Sequence, residues 1–264
     1  MPRFAANLSM LFAERPFLER FAAAAEAGFT GVEYLFPYAH DAADIRAALE
    51  ASGVEQVLFN LPPGDWEAGE RGIAALPGRE ADLRAGVEQA LDYARALSCP
   101  RVHMMAGIPP ADADPEECEA VYLRNLRHAA GEAARAGVTL LIEPINPVDM
   151  PGYFLTRQAQ ARRLLAAAGA DSARVQLDLY HVQMTEGRLA HALDEQWPRL
   201  GHVQIAGVPG RHEPDADGEI NWPWLFAELD RRGYAGWVGC EYKPRAGTSE
   251  GLGWFNRARR ESAN

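Results

Sequence analysis

The 264-residue sequence predicts a single α/β domain folded as a closed (β/α)8 TIM barrel, on three observations. Eight short runs rich in β-branched, aliphatic and aromatic residues alternate with segments whose apolar residues recur one helical turn apart. Glycines stand where several helical segments stop: Gly28, Gly53, Gly137 and Gly233. The turn after the first run, NLSMLFAERP, lacks the glycine-rich phosphate fingerprint of an open dinucleotide-binding sheet, and no Walker sequence occurs. Alternation of strand and helix calls for parallel strands with helical crossovers, and eight such units close a barrel.

In chain order, the first strand is expected at residues 3–9 (RFAANLS), followed by a helix with Phe17, Phe21 and Ala25 on one face. The second strand is expected at 31–36 (GVEYLF) and the third at 56–60 (QVLFN). Residues 61–79 (LPPGDWEAGERGIAALPGR) then form a connection too long for an ordinary βα turn. At the active-site face of a barrel such a loop is either a lid or a packed surface excursion. Leu83, Val87, Leu91 and Ala94 mark the next helix, and the remaining strands are expected at 101–106, 138–143, 174–179, 202–206 and 237–242. No short-period repeat and no linker rich in serine or proline divides residues 1–264.

Hydrophobic residues make up 48% of the chain, enough to bury a large core, and the net charge of −11 opposes affinity for nucleic acid or anionic lipid. The N-terminus does not resemble an export signal and no apolar run reaches membrane-spanning length, so a cytoplasmic protein without a membrane partner is expected. Cys99, Cys118 and Cys240 have no ligand-type spacing and read as reduced, packed thiols; the anion of Glu241 beside Cys240 disfavours a thiolate there.

Catalytic groups of α/β barrels project from the C-terminal ends of the strands. Those ends carry Asn7, Glu33, Asn60, His103, Glu143, Asp178, Gln204 and Glu241. Any one of them alone reads as a helix cap or an ion-pair partner. Oxygen-bearing side chains on four consecutive strands are harder to dismiss, because Glu143, Asp178 and Glu241 sit in apolar settings (LLIEPIN, VQLDLYH, VGCEYKP) where unpaired charge is costly. A divalent cation shared by Glu143, Asp178, Gln204 and Glu241 would offset that cost, and all-oxygen ligation favours Mg²⁺ or Mn²⁺ over zinc.

His181, three residues beyond Asp178, reads either as a packed histidine or as a donor to substrate. Arg211 and Lys243 read either as clamps for a substrate carboxylate or as partners of neighbouring acids. Asn7 and, in the long loop, Trp66 complete the candidate substrate-binding set; the other tryptophans read as core or helix anchors.

The stretches RFAANLSMLF, PPGDWEAGERG with ALPGRE, LLIEPIN, QLDLYH, GHVQIAGVPGRHEPDADGEINW and GWVGCEYKP resemble the hydroxypyruvate isomerase family of the xylose-isomerase-like barrels, over nearly the whole chain. The resemblance implies a (β/α)8 barrel that isomerises small 2-oxo-3-hydroxy acids. It also implies a divalent-metal site of Glu143, Asp178, Gln204 and Glu241, with Glu143 and Glu241 as the acid–base pair. Phe59 stands where these isomerases often have histidine, and with MPRFAANLSM, IAGVPGRHEP and LGWF this looks more like the 2-oxo-tetronate isomerase branch. Ketose 3-epimerases share such a metal site but typically have histidine in place of Gln204. Nucleases of the endonuclease IV type need a histidine-rich zinc cluster and a basic face, against seven histidines and a strong negative charge here. A barrel that binds a sugar acid without turning it over is the reading of another class. Barrels of this kind often assemble as homo-oligomers, and no interface stripe stands out in the sequence.

Overall fold

The computed structural model describes residues 2–261. Their elements run β1 (Arg3–Asn7), α1 (Arg20–Glu26), β2 (Gly31–Glu33), α2 (Ala42–Ser52), β3 (Glu55–Asn60), α3 (Glu80–Leu97), β4 (Arg101–His103), α4 (Pro115–Arg135), β5 (Thr139–Ile142), α5 (Gln158–Ala168), β6 (Arg174–Asp178), α6 (Leu179–Thr185), α7 (Leu189–Gln196), β7 (Leu200–Ile205), α8 (Trp222–Arg231), β8 (Trp237–Cys240), α9 (Thr248–Gly251) and α10 (Gly253–Glu261). The strands form a closed barrel in sequence order, sealed by parallel pairing of β1 with β8.

Seven of the eight strands stop one to three residues before the sequence suggests. Past the strand ends the ladder thins to single hydrogen bonds, such as that from the Met104 N–H to the Leu141 carbonyl at 2.9 Å, and the chain turns toward its helix. The residues there stay apolar because the loops bury them, as at Met104, Met105 and Ala106 after β4. Unit six carries two helices, α6 and α7, before β7. Asp178 closes β6 and caps α6, its side chain accepting a 2.8 Å hydrogen bond from the Tyr180 N–H.

Side chains along a strand point alternately outward and inward. Outward residues such as Phe4, Val102, Ile142, Leu177, Val203 and Val238 join the main core beneath the helices. Ala5, Val57, Leu58, Leu141 and Trp237 form a separate apolar cluster low in the barrel. Gly31 makes room for the indole: a Cβ there would stand 2.6 Å from the Trp237 ring. Trp237 is buried with the Arg3 guanidinium stacked on it at 3.8 Å, so Trp237→Ala would cost about 3–5 kcal/mol. Above this floor, the inward positions nearest the rim carry the polar residues of the site.

The 61–79 connection is anchored in its second half. Gly72 bridges Ala106, the Ala75 N–H donates to the Ala106 carbonyl at 2.8 Å, and Ile73, Ala74 and Ala75 are buried. Gly72 has φ +96°, and a Cβ there would meet the Met105 carbonyl oxygen at 2.4 Å, so only glycine permits this approach. All three cysteines are free and buried, and burial pushes the Cys99 thiol up to about 12. No helix among the described residues is long and apolar enough to cross a membrane.

Candidate active site

The C-terminal rim of the barrel encloses a cavity of about 420 Å³. Asn7, Trp66, Glu143, His181, Gln204, Arg211, Glu241 and Lys243 line it, each of them singled out in the sequence. Asp178 lies just beneath, 1% exposed, behind Arg211. Period-two geometry explains the gathering: Asn7, Asp178 and the penultimate Gln204 are inward positions at their strands' ends, while Glu143 and Glu241 each stand one residue past the last paired one.

Glu33 of β2 organises the strand-1 and strand-7 side. Its Oε1 accepts from Asn7 Nδ2 at 3.1 Å and from Gln204 Nε2 at 2.7 Å, and its Oε2 lies 2.7 Å from His202 Nε2. A carboxylate only accepts, so the Gln204 amide is oriented: its nitrogen faces Glu33 and its oxygen is left to receive Gln176 Nε2 at 2.6 Å. Gly239 of β8 makes this possible, since a Cβ there would come within 2.4 Å of the Glu33 carboxylate.

The acids on the opposite side are crowded and buried. Burial pushes Glu143 well above the ordinary carboxylate range, and the charges of Glu241 and Asp178 push it further. Burial likewise raises Asp178 to about 6 and Glu241 to about 8, in both cases against the opposing pull of Arg211. Arg211 NH2 stands 3.0 Å from Glu241 Oε1 and 3.6 Å from Asp178 Oδ2, and NH1 lies 3.8 Å from Asp149. The guanidinium is therefore the internal counter-ion of this cluster. Its backbone is tied in as well, the Arg211 carbonyl receiving the Lys243 N–H at 2.7 Å.

His181 is fixed in one tautomer by its neighbour. The Asn146 Oδ1 accepts from the Val148 and Asp149 N–H groups, which turns Asn146 Nδ2 toward His181 Nδ1 at 2.7 Å. Nδ1 thus accepts, and the proton sits on Nε2, 3.5 Å from Asp178 Oδ2. Burial holds the ring well below its usual range and so neutral. His103 is neutral for the same reason, lowered to about 3, with Nδ1 3.2 Å from Asn60 Oδ1.

The residues fit a divalent cation. Glu143 Oε1 and Asp178 Oδ2 are buried without a hydrogen-bond partner, and ligand atoms of Glu143, Asp178 and His181 all lie within 4.8 Å of one another. A cation held between the two carboxylates would satisfy both orphaned oxygens, with the protonated Nε2 of His181 beside it as a donor and not a ligand. The structure thus gathers Glu143 and Asp178 with His181, links Glu241 to them through Arg211, and holds the Gln204 oxygen on Gln176.

Several participants escape the sequence reading. Glu33 is visible there as a strand end without a task of its own, and Gln176 and His202 lie two residues below Asp178 and Gln204 on the same inward faces. Period two is the signal that finds both. Asn146 and Arg71 sit on loops, where no periodicity points inward.

Fold and site define a (β/α)8-barrel enzyme with a buried acidic centre able to chelate a divalent cation. The family described as xylose isomerase-like TIM barrel matches residues 21–258, and the chain belongs to that family. It is 59% identical over 255 residues to a 2-oxo-tetronate isomerase of Cupriavidus necator, covering 97% of this chain and 98% of the relative. It is 46% identical over 256 residues to the hydroxypyruvate isomerase of Escherichia coli, covering 97% and 99%. A solved structure from Brucella melitensis, named AP endonuclease, family 2, superposes with a TM-score of 0.94 at 52% identity, covering 97% and 99%.

Proposed function

We propose that this chain is an isomerase of small 2-oxo-3-hydroxy acids that interconverts 2-oxo-tetronate and 3-oxo-tetronate, with hydroxypyruvate and tartronate semialdehyde as the shorter pair. The observation that carries the reading is the buried acidic cluster at the cavity, where Glu143 and Glu241 hold protons more tightly than ordinary carboxyls and buried oxygens of Glu143 and Asp178 have no hydrogen-bond partner among the described residues. The likeness to the two isomerases named above supplies the substrate class.

In such an isomerisation a proton leaves C3, an enediolate forms, and a proton arrives at C2, while the C3 hydroxyl becomes a carbonyl and the C2 carbonyl a hydroxyl. Mg²⁺ or Mn²⁺ held by Glu143, Asp178, Gln204 and Glu241 would supply Lewis acidity to the substrate oxygens. Glu143 and Glu241, arriving from β5 and β8, form the acid–base pair, one taking the C3 proton and the other returning one to C2. His181 presents its Nε2–H as a neutral donor. Glu33 keeps the Gln204 oxygen turned away from its own carboxylate. Residues 61–79, which bring Trp66 to the cavity wall, shield the enediolate from water, with their second half fixed on Ala106. The reaction is assigned to the cytoplasm.

A nuclease reading, prompted by the name of the Brucella protein, has less support: the net charge is −11, and the cation-type cluster found among the described residues contains one histidine. The test is to incubate metal-stripped protein with hydroxypyruvate or 2-oxo-tetronate in deuterated water, with and without Mg²⁺ or Mn²⁺, and to follow isomer formation and deuterium uptake by NMR. Metal-dependent conversion of one acid is expected; no exchange with either acid under either metal would end the proposal.

A further inference from the structure

A 2-oxo acid carries a permanent negative charge into an acidic cavity, so a cation must receive its carboxylate. Three cationic side chains line the cavity: Arg71, Arg211 and Lys243. Arg211 is committed to Glu241 and Asp178. Lys243 is solvent-exposed at the mouth, where water screens a flexible ammonium.

Arg71 differs from both. It is half-buried in the 61–79 connection, with Cζ 3.9 Å from the Trp66 ring centroid. NH1 donates to the Trp66 carbonyl at 2.9 Å and to the Glu70 carbonyl at 2.8 Å. These contacts occupy one nitrogen with backbone and leave Nε and NH2 uncommitted. The neighbouring carboxylate of Glu70 is turned away, paired with Arg79 and accepting from the Asp65 N–H at 2.5 Å. Gly72, the next residue, is pinned against Met105 and Ala106, which fixes the backbone that carries the guanidinium. A planar cation that is stacked, anchored and without an acidic partner among the described residues is preorganised for a carboxylate.

We propose that Arg71 is the anchor for the substrate carboxylate, with Trp66 as the platform that holds its guanidinium flat. This rests on the isomerase reading for the identity of the substrate and adds to it a subsite that sorts acids from neutral ketoses of similar size. The carboxylate docks on the loop after β3 while the C2 and C3 oxygens face the acidic centre, so the two ends of the substrate are held by different units of the barrel.

The probes are D-glycerate, which has the carboxylate but no carbonyl to isomerise, and its uncharged amide. Binding of each to the Mg²⁺-loaded protein is measured by calorimetry or ligand-observed NMR. Wild type is expected to prefer the acid by on the order of 10²-fold, the range for a desolvated charged hydrogen-bond pair. Arg71→Gln should bring that preference close to one while leaving amide affinity unchanged, Arg71→Lys should retain part of it, and Lys243→Gln should retain nearly all. A wild type without preference, a preference that survives in Arg71→Gln, or an equal loss of acid and amide affinity would overturn the proposal; the last would make Arg71 a structural clamp for its loop. Neither probe is turned over, so this result is independent of the isomerisation test. Failure of that test would remove the substrate, and failure of this one would remove the anchor.

Discussion

Removing divalent cations should make the stability of this protein fall as pH rises from 6.5 to 8. Glu241 is raised to about 8 by burial, and Glu143 is raised well above the usual range by burial and by the charges beside it. A carboxyl whose folded value exceeds its unfolded one contributes stability that is complete below the unfolded value and gone once pH has passed the folded value. Between 6.5 and 8 the folded protein keeps the Glu241 proton that the unfolded chain has released, a slope of about 1.4 kcal/mol per pH unit. Over that window the loss is about 2 kcal/mol from Glu241, with Glu143 acting in the same direction. The lower bound of the window is set by histidine: His103, lowered to about 3, and His181, also lowered, cost stability as pH falls below the unfolded value near 6.5. Asp178, raised to about 6, has completed its effect before the window begins. For a chain of this size each kcal/mol moves Tm by about 2–4 °C, so chelator-treated protein should lose about 4–8 °C between pH 6.5 and 8 by differential scanning calorimetry. Saturating Mg²⁺ or Mn²⁺ should flatten or reverse the trend, because the ionised carboxylates then have a partner. A Tm for the stripped protein that is level or rises across the window would refute the assignment of raised acids to this cluster.

Glu143→Gln and Glu241→Gln should each lower turnover on the order of 10²–10⁴-fold in the NMR assay while raising the Tm of stripped protein at pH 8, since a neutral amide replaces a carboxyl that the fold otherwise keeps protonated at a cost that grows with pH. Glu33→Gln introduces a second amide opposite Gln204 and His202. It should weaken Mg²⁺ or Mn²⁺ binding on the order of 10–100-fold by titration calorimetry and cost about 1–3 kcal/mol in urea unfolding, and an unchanged metal affinity would deny Glu33 its orienting role. Deleting residues 65–70, ahead of the anchored Gly72, should lower turnover with the circular dichroism spectrum preserved; unchanged kinetics would remove the shielding role of the loop.

The barrel is legible in the sequence because its two periodicities are clean. Apolar runs such as VQLD and HVQI, short, rich in valine and bounded by turn residues, read as buried strands, and Gly53, with φ +71° at the end of α2, marks a helix stop that sequence shows directly. Strand ends are over-extended because apolar residues such as Met104 and Met105 are as buried as strand residues although they lie past the end of β4, and periodicity does not distinguish the two. The place of Glu143, Asp178, Gln204 and Glu241 at one end of the barrel follows from the rule that parallel strands present their C-terminal ends on one face. Period two places Gln176 and His202 on the same inward faces but does not give their task, for a physical reason: they look like ordinary interior polar residues until Gln204 and Glu33 are seen beside them. Arg211 is legible only as a choice between clamp and ion pair, and it lies 3.0 Å from Glu241.

The interior of the barrel is graded along its axis. Trp237, Leu141 and Ala5 close the bottom with apolar surface. Gln176 and His202 lie two residues higher than the lowest inward positions of β6 and β7, and each meets a rim residue or its support, Gln204 or Glu33. The carboxylates occupy the top, where Arg211 enters from the loop after β7. The layers act on the acids in opposite senses: the amides of the middle layer and rim offer hydrogen bonds that favour the carboxylates, while burial removes the water that would otherwise solvate them. The weakened acidity of the rim carboxyls is therefore the surplus of burial by the whole barrel over the hydrogen bonds that oppose it. Gly239 shows the dependence most plainly, since a single methyl there would stand 2.4 Å from the Glu33 carboxylate and displace the residue that orients Gln204, without touching any of the acids of the cluster.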